Sequence, residues 1–261
     1  MLLIYRIFSA IGFLYHSKPL RVNSFGLPFL IKLTDGFLLN AKNVQKNLAP
    51  VELLREELLS DKTLIHIIDP GTGVVRYDTI SGICKKASGS ARKLRILHQL
   101  VKFVEPQMAI ELGTSLGLSS ASIALAMPYK TVITVEGEKN LAEKANDNFV
   151  KLGLKNVRLI SQKFDDVLPV LVDNLKSPFF AYVDGNHTYK ATVKYYEMFS
   201  QHLDEHSMLV FDDICWSKDM GKAWDYICNH PKSTICIDFY DIGVVVFQRG
   251  LIKQKINLRV Y

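Results

Sequence analysis

The sequence predicts an α/β fold, an open doubly wound sheet with helices on both faces, and three observations carry that prediction. From about residue 91 onward, short β-rich apolar segments alternate with amphipathic helical ones. The first of these segments runs straight into a glycine-bearing turn and a helix start, Met108-Ala-Ile-Glu-Leu-Gly-Thr-Ser-Leu-Gly-Leu-Ser-Ser120. At 261 residues, 48% hydrophobic and 22% charged, the chain is long enough and apolar enough to bury a full core.

Residues 1 to about 90 lack this alternation and read as a mainly helical extension or lid, ahead of a domain over 91–261. The opening stretch Met1-Leu-Leu-Ile-Tyr-Arg-Ile-Phe-Ser-Ala-Ile-Gly-Phe-Leu-Tyr15 is apolar. It falls short of the roughly 20 residues a membrane span needs, and Arg6 interrupts it. No small-residue cleavage site precedes the polar His16-Ser-Lys18, so a packed helix is expected rather than a secretion signal. A second reading remains open, a helix lying on a membrane surface, with Phe8, Phe13 and Tyr15 beside Lys18 and Arg21. Further on, Pro50-Val-Glu-Leu-Leu-Arg-Glu-Glu-Leu-Leu59 has proline at a helix start and leucines at helical spacing.

In the second part a helix from Ala91 to Val104 feeds the strand Met108 to Leu112. A helix from Ser119 to Ala126 leads to a second strand, Thr131 to Val135, and a helix from Asn140 to Leu152 to a third, Val157 to Ile160. After a helix from Asp165 to Asn174 come the strands Pro178 to Val183 and Ser207 to Phe211, separated by a helix through Tyr189 to Leu203. A helix from Ser217 to Cys228 precedes two closing strands, Thr234 to Phe239 and Gly243 to Phe247, close enough to pair as an antiparallel hairpin.

The formal charge of +6 comes from basic residues spread along the chain rather than clustered, so no specific nucleic-acid partner is indicated. Cys84, Cys215, Cys228 and Cys236 show neither a Cys-x-x-Cys pair nor a disulfide framework, which suits free thiols in a reducing cytoplasm.

Gly113 and Gly117 allow close approach of backbone to a ligand, and Ser119 and Ser120 are residue types that cap helices. Free N–H groups at such a helix start favour a carboxylate or phosphate, while the Glu111 carboxylate can hold an ammonium. A cofactor with both groups, such as S-adenosylmethionine, would use both features. Glu136 closes the second strand on the same carboxyl edge, where it can accept hydrogen bonds from two ribose hydroxyls, and Gly137 leaves room for the sugar. Gly113-Thr-Ser-Leu-Gly117 lacks the Gly-x-Gly-x-x-Gly spacing that a nicotinamide dinucleotide would need. A second glycine turn, Ile67-Ile-Asp-Pro-Gly-Thr-Gly73, imitates the motif, but Val74 to Asp78 continues as extended chain with no helix to receive a ligand, so a tight turn or lid is expected there.

On Glu111-x-Gly113-x-x-x-Gly117-x-Ser119-Ser120, Glu136 and the later acidic turns, residues 91–249 resemble class I S-adenosylmethionine-dependent methyltransferases of the catechol and caffeoyl-CoA O-methyltransferase type. With Asp69-Pro-Gly-Thr-Gly73, Val183-Asp-Gly-Asn-His187 and Phe211-Asp-Asp-Ile-Cys-Trp-Ser217 added, the whole chain resembles a group of bacterial methyltransferases. The resemblance implies a Rossmann-like, seven-stranded, mostly parallel sheet with an antiparallel C-terminal strand. It places Glu111 and Ser119 at the methionine end of the cofactor, with Gly113, Thr114, Ser115, Gly117 and Ser120 around it. Glu136 and Gly137 fall at the ribose, and Phe164 and Asp165 at the adenine, the last pair matching by position and not by type.

In the metal-dependent relatives the ends of the fourth and fifth strands hold a divalent cation, and Asp184, Asp212 and Asp213 occupy those positions here. Three carboxylates facing one cleft repel one another unless a cation or protons intervene, and an all-oxygen set suits Mg²⁺ or Ca²⁺. Asp213 stands where the resemblance expects Asn. The other reading gives Asp184 to the cofactor and makes Asp212 and Asp213 a helix-capping pair. His187, where those relatives place a catalytic lysine, is a candidate base for the acceptor hydroxyl, with Asp184 beside it; the bland alternative is a histidine that packs in its loop. Trp216 reads as a wall of an acceptor pocket and Trp224 as core.

The expected activity is O-methylation of a small molecule. Alternatives left open are an acceptor nitrogen, a nicotinamide-dependent oxidoreductase and a non-catalytic cofactor-binding scaffold; a homodimer is a further possibility.

Overall fold

The computed structural model describes residues 2–19, 32, 33, 35, 41–68, 73–87 and 89–259. In chain order these form α1 (Leu2–His16), β1 (Lys18–Pro19), α2 (Ala41–Ser60), β2 (Leu64–Ile68), β3 (Val75–Thr79), α3 (Ile80–Ala87), α4 (Ala91–Val104), β4 (Met108–Leu112), α5 (Leu118–Ala126) and β5 (Thr131–Glu136). There follow α6 (Lys139–Lys151), β6 (Val157–Ser161), α7 (Phe164–Asp173), β7 (Phe179–Val183), α8 (Tyr189–Ser200), β8 (Met208–Asp212), α9 (Lys218–Asn229), β9 (Ile235–Asp238), β10 (Ile242–Val246) and β11 (Gln254–Arg259). The chain divides into two compact units, Gly36–Asn174 and Met1–Asp35 with Leu175–Tyr261.

In the unit Gly36–Asn174, β4, β5 and β6 pair in parallel, with Glu111 opposite Thr134 and Val135 opposite Ile160. Every residue of β4 is buried, as expected of a parallel strand covered on both faces. The helices between these strands begin at defined points. Ser90 caps α4 by accepting from the Lys93 N–H, and the Glu138 carboxylate caps α6 by accepting from the Leu141 N–H.

Against the expectation of a proline-initiated helix, α2 begins at Ala41 and carries Pro50 inside it. The extra turns are held by tertiary packing: Val44, Leu48 and Val51 recur at helical spacing and are buried with Leu54, Leu58, Ile83, Leu94 and Leu118 in one core cluster. β2 and β3 form an antiparallel hairpin, so the chain after the second glycine turn is extended, as its sequence indicates. The turn itself, 69–72, lies outside the described residues.

In the other unit, β7 and β8 pair in parallel, while β10 runs antiparallel to both β8 and β9. The expected closing hairpin is therefore present as β9 and β10. The strand count and the place of the antiparallel strand need correction. Beyond the seven expected strands, β4 to β10, the chain adds β11, parallel to β9, and the two-residue β1, parallel to β11. The antiparallel strand is thus not the last one. β11 supplies hydrogen-bonding partners to a β9 edge that would otherwise stand open, and buries Leu258 fully.

The core of this unit is aromatic. Phe179 stacks on Phe199 at 6.4 Å, and Trp224 is buried against Gly243, where a Cβ would sit 2.6 Å from the indole. Trp224 is core, as its place in a helix suggested. α1 packs within the same unit through Phe13, whose ring lies 5.5 Å from that of Tyr240. Arg21 lies outside the described residues. Among the described residues no helix is long and apolar enough to cross a membrane.

Candidate active site

In the unit Gly36–Asn174, β4 and β5 deliver Glu111 and Glu136 at adjoining strand ends. The turn after β4 takes positive φ at Gly113 (107°), Ser115 (49°) and Gly117 (81°), and Asn148 Nδ2 of α6 pins it by donating to the Leu116 carbonyl at 2.8 Å. Gly117 is the N-cap of α5 and no side chain caps that helix. Ser119 and Ser120 are therefore not its caps, contrary to expectation: the helix starts one residue early, at Leu118, and the Ser120 hydroxyl is drawn instead to Glu111.

Glu111 is fully buried. Its Oε2 accepts from the Ser120 hydroxyl and from the Thr134 hydroxyl, the latter at 2.6 Å, whereas Oε1 has no hydrogen-bond partner among the described residues. Burial pushes its pKa up to about 7, against the opposing pull of the Ser119, Ser120 and Thr134 hydroxyls. Ser115 Oγ, in the same turn, is also buried without a partner. Two orphaned polar atoms beside an uncapped helix start are the chemistry of a site made for a polar ligand.

Glu136 is held by backbone donors, with Oε2 accepting from the Ser115 N–H at 2.8 Å and Oε1 from the Glu138 N–H at 3.0 Å. Burial raises its pKa while those N–H groups oppose the rise. Each oxygen keeps a further lone pair for a hydroxyl donor. Gly137 follows half-buried, and α7 opens with half-buried Phe164 and exposed Asp165.

In the other unit, the ends of β7 and β8 bring Asp184, Asp212, Asp213 and His187 together. His187 Nε2 lies 3.6 Å from Asp184 Oδ1 and 3.7 Å from Asp213 Oδ2, ion-pair distances longer than a hydrogen bond. The Tyr182 hydroxyl lies 2.9 Å from Asp212 Oδ2 and 3.2 Å from Asp184 Oδ2, and Asp212 Oδ1 accepts from the Asp213 N–H at 2.9 Å. Asp213 has φ of 55°, a left-handed conformation that Asp and Asn tolerate better than most residues.

A cation site at the three carboxylates is not shown. Their oxygens are turned toward a phenol, a backbone N–H and an imidazole, and among the described residues no group of three or more His, Cys, Asp or Glu side chains is arranged to hold a metal. Nor are Asp212 and Asp213 a capping pair, because Ser217 caps α9 by accepting from the Met220 N–H. Trp216 is 40% exposed, with the Arg6 guanidinium 4.5 Å from its ring centre.

Three contributors escaped the sequence reading. Thr134 carries the Glu111 network, Asn148 pins the turn, and Tyr182 bridges two aspartates. Thr134 and Tyr182 each lie two residues before an acid already singled out, Glu136 and Asp184, so the strand period places each pair on one face. That spacing was the signal available.

A family model described as a methyltransferase domain matches residues 110–214. No curated protein matches the chain. Among solved structures, the O-methyltransferase TomG from Streptomyces achromogenes, in complex with S-adenosylmethionine, is similar at 20% identity and a TM-score of 0.53, over 61% of this chain and 82% of that one. An O-methyltransferase from Bacillus cereus in complex with S-adenosylhomocysteine is similar at 18% identity and a TM-score of 0.52, over 60% and 82%. A putative caffeoyl-CoA O-methyltransferase from Staphylococcus aureus is similar at 16% identity and a TM-score of 0.52, over 61% and 85%. These structures share the Rossmann-like α/β fold of this chain, and it is within that fold that residues 110–214 match the model of a methyltransferase domain.

Proposed function

We propose that the protein is an S-adenosylmethionine-dependent methyltransferase that methylates a hydroxyl oxygen of a small molecule. The observation that carries this reading is Glu111, a buried carboxylate with one oxygen satisfied by hydroxyls and the other left for a ligand. An α-ammonium fits that acceptor, and the uncapped start of α5 suits the carboxylate beside it. The relatives' bound ligands, S-adenosylmethionine and S-adenosylhomocysteine, support the same assignment.

In this reading Glu111, with Gly113, Thr114, Ser115, Gly117, Ser119 and Ser120, holds the methionine end. Glu136 accepts from the ribose hydroxyls beside Gly137, and Phe164 and Asp165 border the adenine. Bound S-adenosylmethionine supplies a methyl group made electrophilic by its sulfonium. His187 takes the proton from the acceptor hydroxyl, and Asp184 and Asp213 stabilise the positive charge it gains. No step is routed through a divalent cation, since among the described residues no group of three or more His, Cys, Asp or Glu side chains is arranged to hold one. Residues 1–90 are read as an extension of the catalytic part, and the four free cysteines favour a reducing, cytoplasmic setting.

Calorimetric titration tests the cofactor. Binding of S-adenosylhomocysteine that is lost in Glu111→Gln is expected; affinity for NAD with none for either sulfur compound would overturn the assignment. Transfer of label from methyl-labelled cofactor into a bacterial metabolite extract then separates an enzyme from a binding scaffold, and the chemical stability of the product separates oxygen from nitrogen.

A further inference from the structure

α1 has two apolar sides, and only one is used within its own unit. On the packed side Phe13 is buried near Tyr240, the Tyr5 hydroxyl abuts Gly221, and Arg6 stacks on Trp216. On the other side Ile7, Phe8, Ile11, Leu14 and Tyr15 are between 50% and 84% exposed. With 3.6 residues per turn these five fall within an arc of about 120°, the width of a stripe that ordinarily faces a core. Single exposed apolar residues need no explanation; a continuous stripe does.

Charge indicates what covers it. The first 34 residues contain Arg6, Lys18, Arg21 and Lys32 and no Asp or Glu, and the whole chain carries +6. Asp213 and Asp241 lie beside Arg6, and Asp225 acts on Tyr5, on the packed side of α1; within its own stretch of sequence the stripe is accompanied only by positive charge, which matches the chemistry of an anionic lipid surface. A second copy of the same segment would instead bring like charges together. Length then fixes the mode. The 15 residues of α1 span about 22 Å, less than the roughly 30 Å of a hydrocarbon core, so the helix can lie in the surface but not cross it.

We propose that α1 lies in the plane of an anionic membrane surface, with Ile7, Phe8, Ile11, Leu14 and Tyr15 inserted among the lipids. This interaction surface is independent of the catalytic assignment, and its readout requires no methyl transfer.

The test is co-sedimentation of the full-length protein with vesicles of phosphatidylcholine alone or of phosphatidylcholine mixed with phosphatidylglycerol. Binding to the mixed vesicles at least about tenfold tighter than to the neutral ones, weakening as salt rises, is expected. The triple variant Ile7→Ser, Phe8→Ser, Ile11→Ser should lose about tenfold or more of that binding and keep its unfolding temperature, because all three side chains are exposed. Tyr15→Trp gives a second reading that does not depend on the triple variant folding, a blue shift of emission when mixed vesicles are added. Equal binding of the triple variant and the parent, no sedimentation with either vesicle, or an unshifted Tyr15→Trp emission overturns the proposal. A dimer in sedimentation equilibrium that the triple variant dissociates, with no vesicle binding, overturns it in favour of a second copy.

Discussion

Thr134 stands opposite Glu111 in the β4–β5 register, and its hydroxyl donates to Glu111 Oε2 at 2.6 Å. A hydroxyl has one proton, so the 2.6 Å contact between Thr134 and Thr114 must run the other way, with Thr114 donating. The result is a relay from the ligand turn through β5 to one oxygen of a buried acid. It orients the carboxylate and leaves the other oxygen unsatisfied.

Thr134→Val removes the donor and keeps the shape. A hydrogen bond to a charged buried group contributes roughly 1.5–3 kcal/mol, so S-adenosylhomocysteine should bind at least about tenfold more weakly. Calorimetric titration at neutral pH checks this, with circular dichroism to confirm the fold. Unaltered affinity would detach the relay from ligand binding.

The same acid makes stability depend on pH. Burial raises Glu111 to about 7 from 4.5, so between those values the folded state holds a proton the unfolded state has lost. Its contribution is therefore whole below about pH 4.5 and is lost as pH rises through about 7, a change of order 3 kcal/mol. Asp238, raised to about 6 by burial, acts in the same direction. Glu111→Gln, neutral at every pH, should unfold at a higher temperature than the parent near about pH 8 and lose that advantage near about pH 4. Scanning calorimetry at both values decides it, and a pH-independent difference would count against a titrating Glu111. In the proposed reading, the native protein gives up stability at neutral pH for a carboxylate that a ligand ammonium would satisfy.

Much of this arrangement is legible in the sequence, and the reason is local. Glu111, Gly113 and Gly117 lie within seven residues of one another, and strand, turn and helix each announce themselves by composition. Glu136 follows from the same rhythm one unit later. Thr134 reads only as a β-branched strand residue until register sets it beside Glu111, and Tyr182 reads as one more apolar position until its hydroxyl is seen between two aspartates. Asp184, Asp212 and Asp213 are visible as acids, but which way their oxygens turn depends on Tyr182 and His187, which a linear motif does not express. The early start of α2 and the added β11 likewise come from tertiary burial, of Val44 and Leu48 in one case and Leu258 in the other, which overrides weak local signals.

Gly117 has two separate reasons to be glycine. Its φ is 81°, and a Cβ there would sit 2.6 Å from the Phe149 ring. Gly117→Ala should cost about 1–3 kcal/mol from backbone strain together with overpacking. Adding Phe149→Leu should restore only the packing part, so denaturant unfolding of the single and double variants measures each share. Full recovery in the double variant would show that the left-handed backbone is not a constraint at this position.

The aspartate cluster bears on metal. With Asp212 accepting from Tyr182 and from the Asp213 N–H, and His187 between Asp184 and Asp213, a cation would compete with contacts already made within the protein. Millimolar-range Mg²⁺ or Ca²⁺ should therefore leave the unfolding temperature where it is, since only a ligand that binds the folded state raises it. A rise abolished by Asp212→Asn would restore the cation site.

His187 offers the sharpest separation of binding from chemistry. In the proposed reading it is the general base for the acceptor, flanked by two carboxylates, whereas Glu111 and Glu136 hold the cofactor. His187→Ala should lower turnover by about 10²- to 10⁴-fold and leave S-adenosylhomocysteine affinity as it was. Asp184→Asn and Asp213→Asn should each lower turnover less, because the imidazole keeps the other carboxylate within 3.6 or 3.7 Å. Equal losses in all three would reduce His187 to a packing residue and pass the proton to solvent.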